Sequence, residues 1–72
     1  MKDQSFEILV NTYNDMVFCF ARGLLNDPGT AEDVAQEAFV VAYKNMAKFD
    51  ASRDFGAWIR GIVRKLALRK HG

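Results

Sequence analysis

The chain of 72 residues has little of what marks a secreted, metal-binding or membrane protein. Its single cysteine, Cys19, cannot form an internal disulfide, and its single histidine, His71, has no cysteine or second histidine at ligand spacing. Apolar runs such as residues 38–43 are too short to cross a bilayer, and the N-terminal residues lack the apolar segment of a signal peptide. We therefore expect a cytoplasmic protein with no metal, no cofactor and no membrane insertion.

Proline and glycine are also scarce, with one and five residues respectively, whereas half of the chain is hydrophobic. This composition is typical of a compact domain and not of a disordered segment. A chain of this length forms one domain at most, here residues 1–72, and its core is small. Because Cys19 stands in the apolar segment MVFCFA, we expect it to be buried in that core.

Three segments carry apolar residues every three to four positions, which is the spacing of amphipathic helices. The predicted helices span about residues 5–25, 31–47 and 55–69. No alternating strand pattern occurs. The predicted fold is therefore all-α, a small bundle of three main helices joined by short loops.

Turn and capping residues separate the helices. The tetrapeptide NDPG ends the first helix, and Thr30 with Asp33 forms a capping-box pattern at the start of the second. The connection KFDASRD supplies Asp50, Ser52 and Asp54 as candidate caps of the third.

Two glycines, Gly56 and Gly61, lie inside the third predicted helix. Each costs about 1 kcal/mol relative to alanine. Either close helix packing or close approach of a ligand backbone would account for them.

The charges are unevenly distributed along the chain. Residues 1–37 contain seven acids and two bases, whereas residues 38–72 contain eight bases and two acids. Such polarity predicts an anionic partner, such as a nucleic acid, for the second half. The alternative is that the two halves neutralise each other across the bundle.

One side of the second predicted helix is mixed polar and apolar. At about 100° per residue, Asp33, Gln36, Glu37, Val40 and Lys44 share that side. The helix dipole favours acids in the first turn and by itself would explain Glu32 and Asp33. It explains Glu37 less well, because Glu37 lies beyond the first turn, and an exposed valine beside it is more typical of a surface that binds a partner.

The third predicted helix carries bases on its solvent side. Arg60 and Arg64 face solvent together, and Lys65 with Arg69 forms a second pair on the flank that Trp58 borders. The preceding loop adds an aromatic ring, bases and short polar groups, as single-stranded nucleic acid requires. Alternatively, the aromatic residues Phe49, Phe55 and Trp58 form a small core.

The segments FEILVNTYNDMVFCFARGLLND, AEDVAQEAFVVAYKNMAKFD and FGAWIRGIVRKLALRK resemble, in that order, conserved region two of bacterial RNA polymerase sigma factors of the extracytoplasmic-function (ECF) type. The resemblance covers the chain from Phe6 to Lys70. Its most specific element is Asp-x-x-Gln-Glu followed by Phe-x-Ala-Trp and a basic helix. Members of the family usually continue into a helix-turn-helix region that reads the minus-thirty-five element.

This resemblance implies a role in transcription initiation, with a different partner for each charged surface. The second helix would dock on the clamp coiled coil of RNA polymerase core. The loop and third helix would recognise the minus-ten element of promoter DNA and hold a base flipped from the non-template strand. The residues implied for polymerase binding are Asp33, Gln36, Glu37, Val40 and Val41, and those for DNA binding are Lys48, Phe49, Asp50, Arg53, Trp58, Arg60, Arg64 and Lys65.

Two alternative functions belong to other classes. A helical adaptor that binds a protein regulator without touching DNA would use the same faces, and the resemblance itself implies anti-sigma factors as partners. An enzyme is not expected, because Asp50 and Asp54 stand at cap positions and no histidine, serine or cysteine constellation joins them. We expect no small-molecule substrate.

Overall fold

The computed structural model describes the backbone of residues 4–71 and the side chains of residues 5–69. It contains three α-helices, α1 (Gln4–Leu24), α2 (Pro28–Lys44) and α3 (Phe55–His71), and each packs against the other two. No strand occurs in this part of the chain. The predicted all-α bundle is confirmed.

The second helix begins three residues earlier than the sequence pattern predicted. Asp27 has extended backbone angles and is the N-cap, and Pro28 occupies the first helical turn. The backbone N–H and the hydroxyl of Thr30 both donate to Asp27 Oδ2, at 2.9 and 2.7 Å. The predicted capping box at Thr30 and Asp33 is therefore wrong: Thr30 is already inside the helix that Asp27 caps.

The second helix also ends earlier than predicted, at Lys44 instead of residue 47. The Asn45 side-chain amide donates to the Val41 carbonyl at 2.8 Å, so Asn45 stops the helix by binding one of its last acceptors. A short 3₁₀ turn, Met46–Lys48, then leads into the loop.

The third helix begins at Phe55, as predicted. The carboxylate of Asp54 accepts a hydrogen bond from the Gly56 N–H at 3.1 Å, so Asp54 is one of the predicted caps. Asp50 instead accepts the backbone N–H and the hydroxyl of Ser52, which holds the loop in a turn.

The core lies where the three helices meet. Its largest completely buried side chains are Val17 of α1, Val34 of α2, and Ile59 and Val63 of α3. The second helix contributes mainly small residues to it, namely Ala31, Ala35, Ala38 and Ala42. Small side chains let α2 lie close to both neighbours.

The expectation that Cys19 is buried is wrong, because this side chain is exposed. Residues 16–21 are all apolar or small and extend over more than one turn of α1. Not all of them can face the core at once: Val17 and Ala21 do, whereas Cys19 lies on the opposite side.

A cluster of aromatic rings joins the start of α1, the end of α2 and the start of α3. The rings of Phe6 and Tyr43 are 5.0 Å apart, and those of Phe6 and Phe55 are 6.4 Å apart. The α2 helix therefore runs in the opposite direction to α1 and α3, whereas α1 and α3 run in the same direction. No helix in the described part of the chain is both long and apolar enough to span a membrane.

The N-cap of α2 generates the first prediction. Hydrogen bonds from the Thr30 hydroxyl, then from its backbone N–H, lower the pKa of Asp27 below its ordinary value of 3.8, and Arg22 adds a smaller effect. Because the folded pKa lies below the unfolded one, this stabilisation is complete above the unfolded value and is lost as the pH falls through the folded value. We expect Asp27→Ala to lower the Tm at neutral pH and to weaken its dependence on pH in acid, measured by circular dichroism.

Asp27→Asn is the matched control. Asparagine caps helices about as well as aspartate but does not titrate. It should retain most of the stability at neutral pH while losing the same pH dependence. An alanine variant with the Tm of the original chain at neutral pH would contradict the assigned cap.

Candidate functional site

The outward side of α2 carries the residues predicted to bind a protein partner. We call Asp33, Gln36, Glu37, Val40 and Lys44 the polar stripe, and all of their side chains are exposed. Val40 is 52% exposed and leaves an apolar spot among charges. The core residues of α2 lie on the other side of the helix. The structure therefore brings the stripe together as the helical period predicted.

The early start of α2 changes the explanation of its acids. With Pro28 in the first turn, that turn contains no acidic residue. Glu32 and Asp33 lie beyond it, where the effect of the helix dipole has largely fallen off. Stabilisation by the dipole therefore does not account for these acids.

Val41 was predicted to belong to the same binding surface as the stripe. The structure instead places it half-buried at the edge of α2 that faces α3. Its role in polymerase binding stays a prediction, and any partner would have to reach into the groove between the two helices to touch it.

The solvent side of α3 is cationic. Arg60, Arg64, Lys65 and Arg69 are all exposed. Within the described side chains, residues 5–69, the structure records no ion pair between these bases and a carboxylate. The alternative that the two charged halves neutralise each other is therefore not supported for α3, whose positive charge faces solvent.

Between α2 and α3 lies a cleft of about 350 Å³. Three bases, Lys48, Lys65 and Arg69, lie around it with the Trp58 ring. Val41, Asn45, Ile62 and Leu66 complete the lining. A cavity with apolar walls and a cationic rim suits a flat, partly apolar anion. We call this the α2–α3 cleft.

Trp58 is half-buried, and other rings fix its position. Its indole lies 4.7 Å from the Phe49 ring at a shallow angle of 33°, and 5.8 Å from the Phe55 ring in an edge-to-face arrangement. Phe55 itself is buried. The two interpretations of Trp58 are therefore compatible, since one part of the ring packs on the core and the rest borders the cleft.

The loop before α3 is held in shape by its own polar groups. Besides the bonds from Ser52 to Asp50, the Arg53 N–H donates to the Asp50 carbonyl at 2.8 Å. The backbone N–H and then the hydroxyl of Ser52 lower the pKa of Asp50, which keeps that carboxylate ionised. Asp50, predicted to bind DNA, is thus already engaged within the loop, whereas the side chains of Lys48 and Arg53 are exposed. Arg53, Asp54, Ala57 and Trp58 line a second, open cavity of about 430 Å³.

A third concavity, between α1 and α3, was not predicted from the sequence. It has a volume of about 270 Å³ and is lined by Phe20, Ala57, Arg60, Gly61 and Arg64. The Arg64 guanidinium lies 5.9 Å from the centre of the Phe20 ring, within range of a cation–π interaction. We call it the α1–α3 notch. Phe20 belongs to the periodic apolar face of α1, which by itself predicts a place in the core.

Other parts of the described chain are chemically plain. A groove between α1 and α2 is lined by Asn14, Asp15, Phe18, Glu32, Ala35 and Gln36, so it meets the polar stripe at Gln36. No group of three or more histidine, cysteine, aspartate or glutamate side chains among the described residues could hold a metal ion.

Comparisons with known proteins show a family and several relatives that the sequence resembles. The profile of the family described as Sigma-70 region 2 matches residues 9–71. The ECF RNA polymerase sigma factor SigW of Bacillus subtilis is 36% identical over 64 residues, which is 89% of this chain and 34% of that protein. The ECF RNA polymerase sigma factor BldN of Streptomyces coelicolor is 35% identical over 63 residues, or 86% of this chain and 24% of that protein.

A third relative, a probable RNA polymerase sigma factor RfaY of Xanthomonas campestris pv. campestris, is 34% identical over 71 residues, which is 94% of this chain and 18% of that protein. The chain thus spans about a third or less of the length of these relatives. No solved structure is significantly similar to it.

The contact between Phe49 and Trp58 generates the second prediction. Phe49→Leu keeps an apolar side chain but removes the ring contacts with Trp58 and Phe55, which should cost about 1 kcal/mol of stability. Trp58 is the only tryptophan, so its fluorescence should also change. Phe18→Leu, another half-buried phenylalanine but outside this ring cluster, should leave the emission unchanged. If Phe49→Leu did not alter the emission, the ring contact would be wrong.

Proposed function

Because the chain belongs to the sigma-70 region 2 family, and within it to the ECF type, we propose that it acts in transcription initiation by binding both RNA polymerase core and promoter DNA. The observation that carries this proposal is the separation of exposed charge. The carboxylates of Asp33 and Glu37 lie on α2, whereas Arg60, Arg64, Lys65 and Arg69 of α3 form no ion pair with a described carboxylate. Each surface suits a partner of opposite charge, and neither interferes with the other.

The polar stripe is the proposed contact with the clamp coiled coil of the polymerase. Two carboxylates, Asp33 and Glu37, lie one helical turn apart with Gln36 between them. A basic helix could pair with these groups while Val40 excludes water from the centre of the contact. Docking would bury little besides exposed side chains, so no rearrangement of the fold is needed.

The α2–α3 cleft is the proposed binding site for a base flipped out of the minus-ten element. Unstacking a base costs a few kcal/mol. Stacking on an aromatic ring contributes about 1 to 3 kcal/mol of binding free energy per base. Trp58 provides such a ring at the edge of the cleft. Lys48 and Lys65 at the rim would hold the neighbouring phosphates. Binding energy of this size shifts the balance towards an open duplex without any bond being made or broken.

A double substitution in the stripe tests the polymerase contact. Asp33→Ala combined with Glu37→Lys should abolish capture of the chain by RNA polymerase core, because it replaces two carboxylates with a neutral and a repulsive group. Both positions are exposed, so the Tm should change little. A pull-down with purified core and a thermal melt measure the two quantities.

The matched control is Asp15→Ala combined with Glu32→Lys. It changes the net charge by the same amount but lies along the groove between α1 and α2, which shares only Gln36 with the stripe. Equal loss of capture in both variants would show that total charge and not the stripe decides binding. Failure of the unaltered chain to bind core would favour the alternative, a helical module that binds a protein regulator without contacting DNA.

The bases of α3 generate the prediction for DNA. Arg60→Ala combined with Arg64→Ala should weaken binding of single-stranded DNA. It should also reduce the slope of log affinity against log salt by about 1.4, if each arginine neutralises one phosphate. Fluorescence anisotropy with a labelled thymidine dodecamer measures both. Arg22→Ala with Lys44→Ala removes two exposed charges from the other helices and should have a much smaller effect. Identical titrations of the two double variants would argue against a DNA surface on α3.

A further inference from the structure

Two large apolar side chains are exposed to solvent near the ends of α1 and α3. Leu68 of α3 is 66% exposed, and Leu24 of α1 is 39% exposed. Neither belongs to the core or to the surfaces proposed to bind polymerase and DNA. Exposed leucines that occur singly are ordinary, whereas leucines that share one surface with other apolar groups indicate an interaction site.

Leu24 and Leu68 extend the α1–α3 notch by one helical turn. The two helices run in the same direction, and the Arg64 guanidinium lies over the Phe20 ring where they meet. Leu24 follows Phe20 by four residues, and Leu68 follows Arg64 by four. Each leucine therefore stands one turn beyond that contact, on the same side of its helix. We call the notch together with these two leucines the α1–α3 groove.

The groove combines apolar walls with positive charge. Phe20 and Ala57 are among the residues that line the notch, and only Arg60 and Arg64 among them are charged. Neither arginine forms an ion pair with a carboxylate of the described residues. From Ala57 to Leu68 the groove extends over about 16 Å, or three helical turns.

This combination fits an amphipathic helix with acidic flanks. A helix laid between two others presents apolar residues every three to four positions, and these would cover Phe20, Leu24 and Leu68. Carboxylates on its flanks would reach Arg60 and Arg64, since a planar guanidinium can pair with a carboxylate through two hydrogen bonds. Leucine side chains offer no plane on which a nucleic-acid base can stack, and a concave groove does not match a flat lipid surface.

We propose that the α1–α3 groove is a docking site for an acidic amphipathic helix of a regulatory protein. The groove shares Arg60 and Arg64 with the proposed DNA surface but shares no residue with the polar stripe on α2. A helix bound there would therefore exclude DNA while the polymerase contact stays open. This effect on DNA rests on the proposed function, whereas the docking site itself does not.

A synthetic peptide tests the docking site. It has about 18 residues, which makes its helix longer than the groove, with leucines every three to four positions on one face and glutamates on both flanks. One control peptide has the same composition with the leucines scattered, and the other has lysine in place of glutamate. Fluorescence anisotropy of the labelled peptides measures binding. Only the acidic amphipathic peptide should bind, and its affinity should fall as the salt concentration rises.

Leu68→Gln tests the apolar contact, and Ile8→Gln is its matched control. Ile8 lies on α1, is 64% exposed against 66% for Leu68, and has polar residues one turn away, at positions 4, 5, 11 and 12. Both changes leave the charge of the chain unaltered, and neither should change the Tm much. Leu68→Gln should weaken binding of the peptide about fivefold, because a leucine is no longer buried in the complex. Ile8→Gln should bind the peptide as the unaltered chain does.

A competition experiment tests the effect on DNA. The peptide should displace a labelled thymidine dodecamer from the chain but should not reduce capture of the chain by RNA polymerase core. Leu68→Gln should bind the dodecamer as the unaltered chain does, since it removes no positive charge.

Each outcome decides between the two proposals. The docking site is overturned if Leu68→Gln binds the peptide normally, if Ile8→Gln weakens binding equally, if the scattered-leucine peptide binds as well, or if no peptide binds. Binding of phosphatidylglycerol vesicles that Leu68→Gln weakens, without binding of the peptide, would make the groove a lipid contact instead. If the bound peptide fails to displace the dodecamer or releases polymerase core, the effect on DNA is overturned and the docking site stands. If the chain binds no DNA, alone or with core, the proposed DNA-binding function fails, and the peptide alone decides the docking site.

Discussion

The relative positions of α1, the loop and α3 depend on the packing of other rings around Phe55. The Phe55 ring lies within 6.4 Å of the rings of Phe6 and Tyr13 from α1, Phe49 from the loop and Trp58 from α3. Because these rings come from separate segments, one buried side chain fixes the relative positions of α1, the loop and α3. The proposed base-binding ring is therefore oriented by the core and not by the loop alone. Such support from a packed neighbour is what keeps a binding group in a productive geometry before its ligand arrives.

The sequence predicted a helix boundary well where the apolar period began beside a cap residue. Of the three candidate caps of the third helix, Asp54 stands immediately before its apolar period, and the start of this helix was placed correctly. Two signals competed at the second helix. The pair Thr30 and Asp33 matches a capping box, but Asp27 followed by Pro28 offers a cap and a first residue that needs no hydrogen-bond partner and already has a helical φ angle. Only one of them can begin the helix, and the pattern alone does not rank them.

Helical periodicity was the only basis on which the candidate surfaces could be predicted. Periodicity assigns a residue to one side of its own helix, so the exposed polar stripe and the exposed bases of α3 were expected. It does not say which neighbouring helix lies beside that side. For this reason the half-buried position of Val41 and the pairing of Phe20 with Arg64 emerged only from the packing of the three helices. Cys19 shows the same limit within one helix, because a run of apolar residues longer than a turn does not identify its outward member.

The two glycines of α3 make the cationic surface depend on the folded bundle. Gly61, in the helix interior, weakens the intrinsic helicity of this segment by about 1 kcal/mol relative to alanine, and Gly56, in the first turn, adds a smaller effect. Isolated helices of about this length are already marginal in water. A synthetic peptide copied from residues 55–71 would therefore be largely unstructured and would scatter its arginines. The ordered array of positive charge belongs to the assembled bundle, and it vanishes cooperatively when Ile59 and Val63 lose their partners.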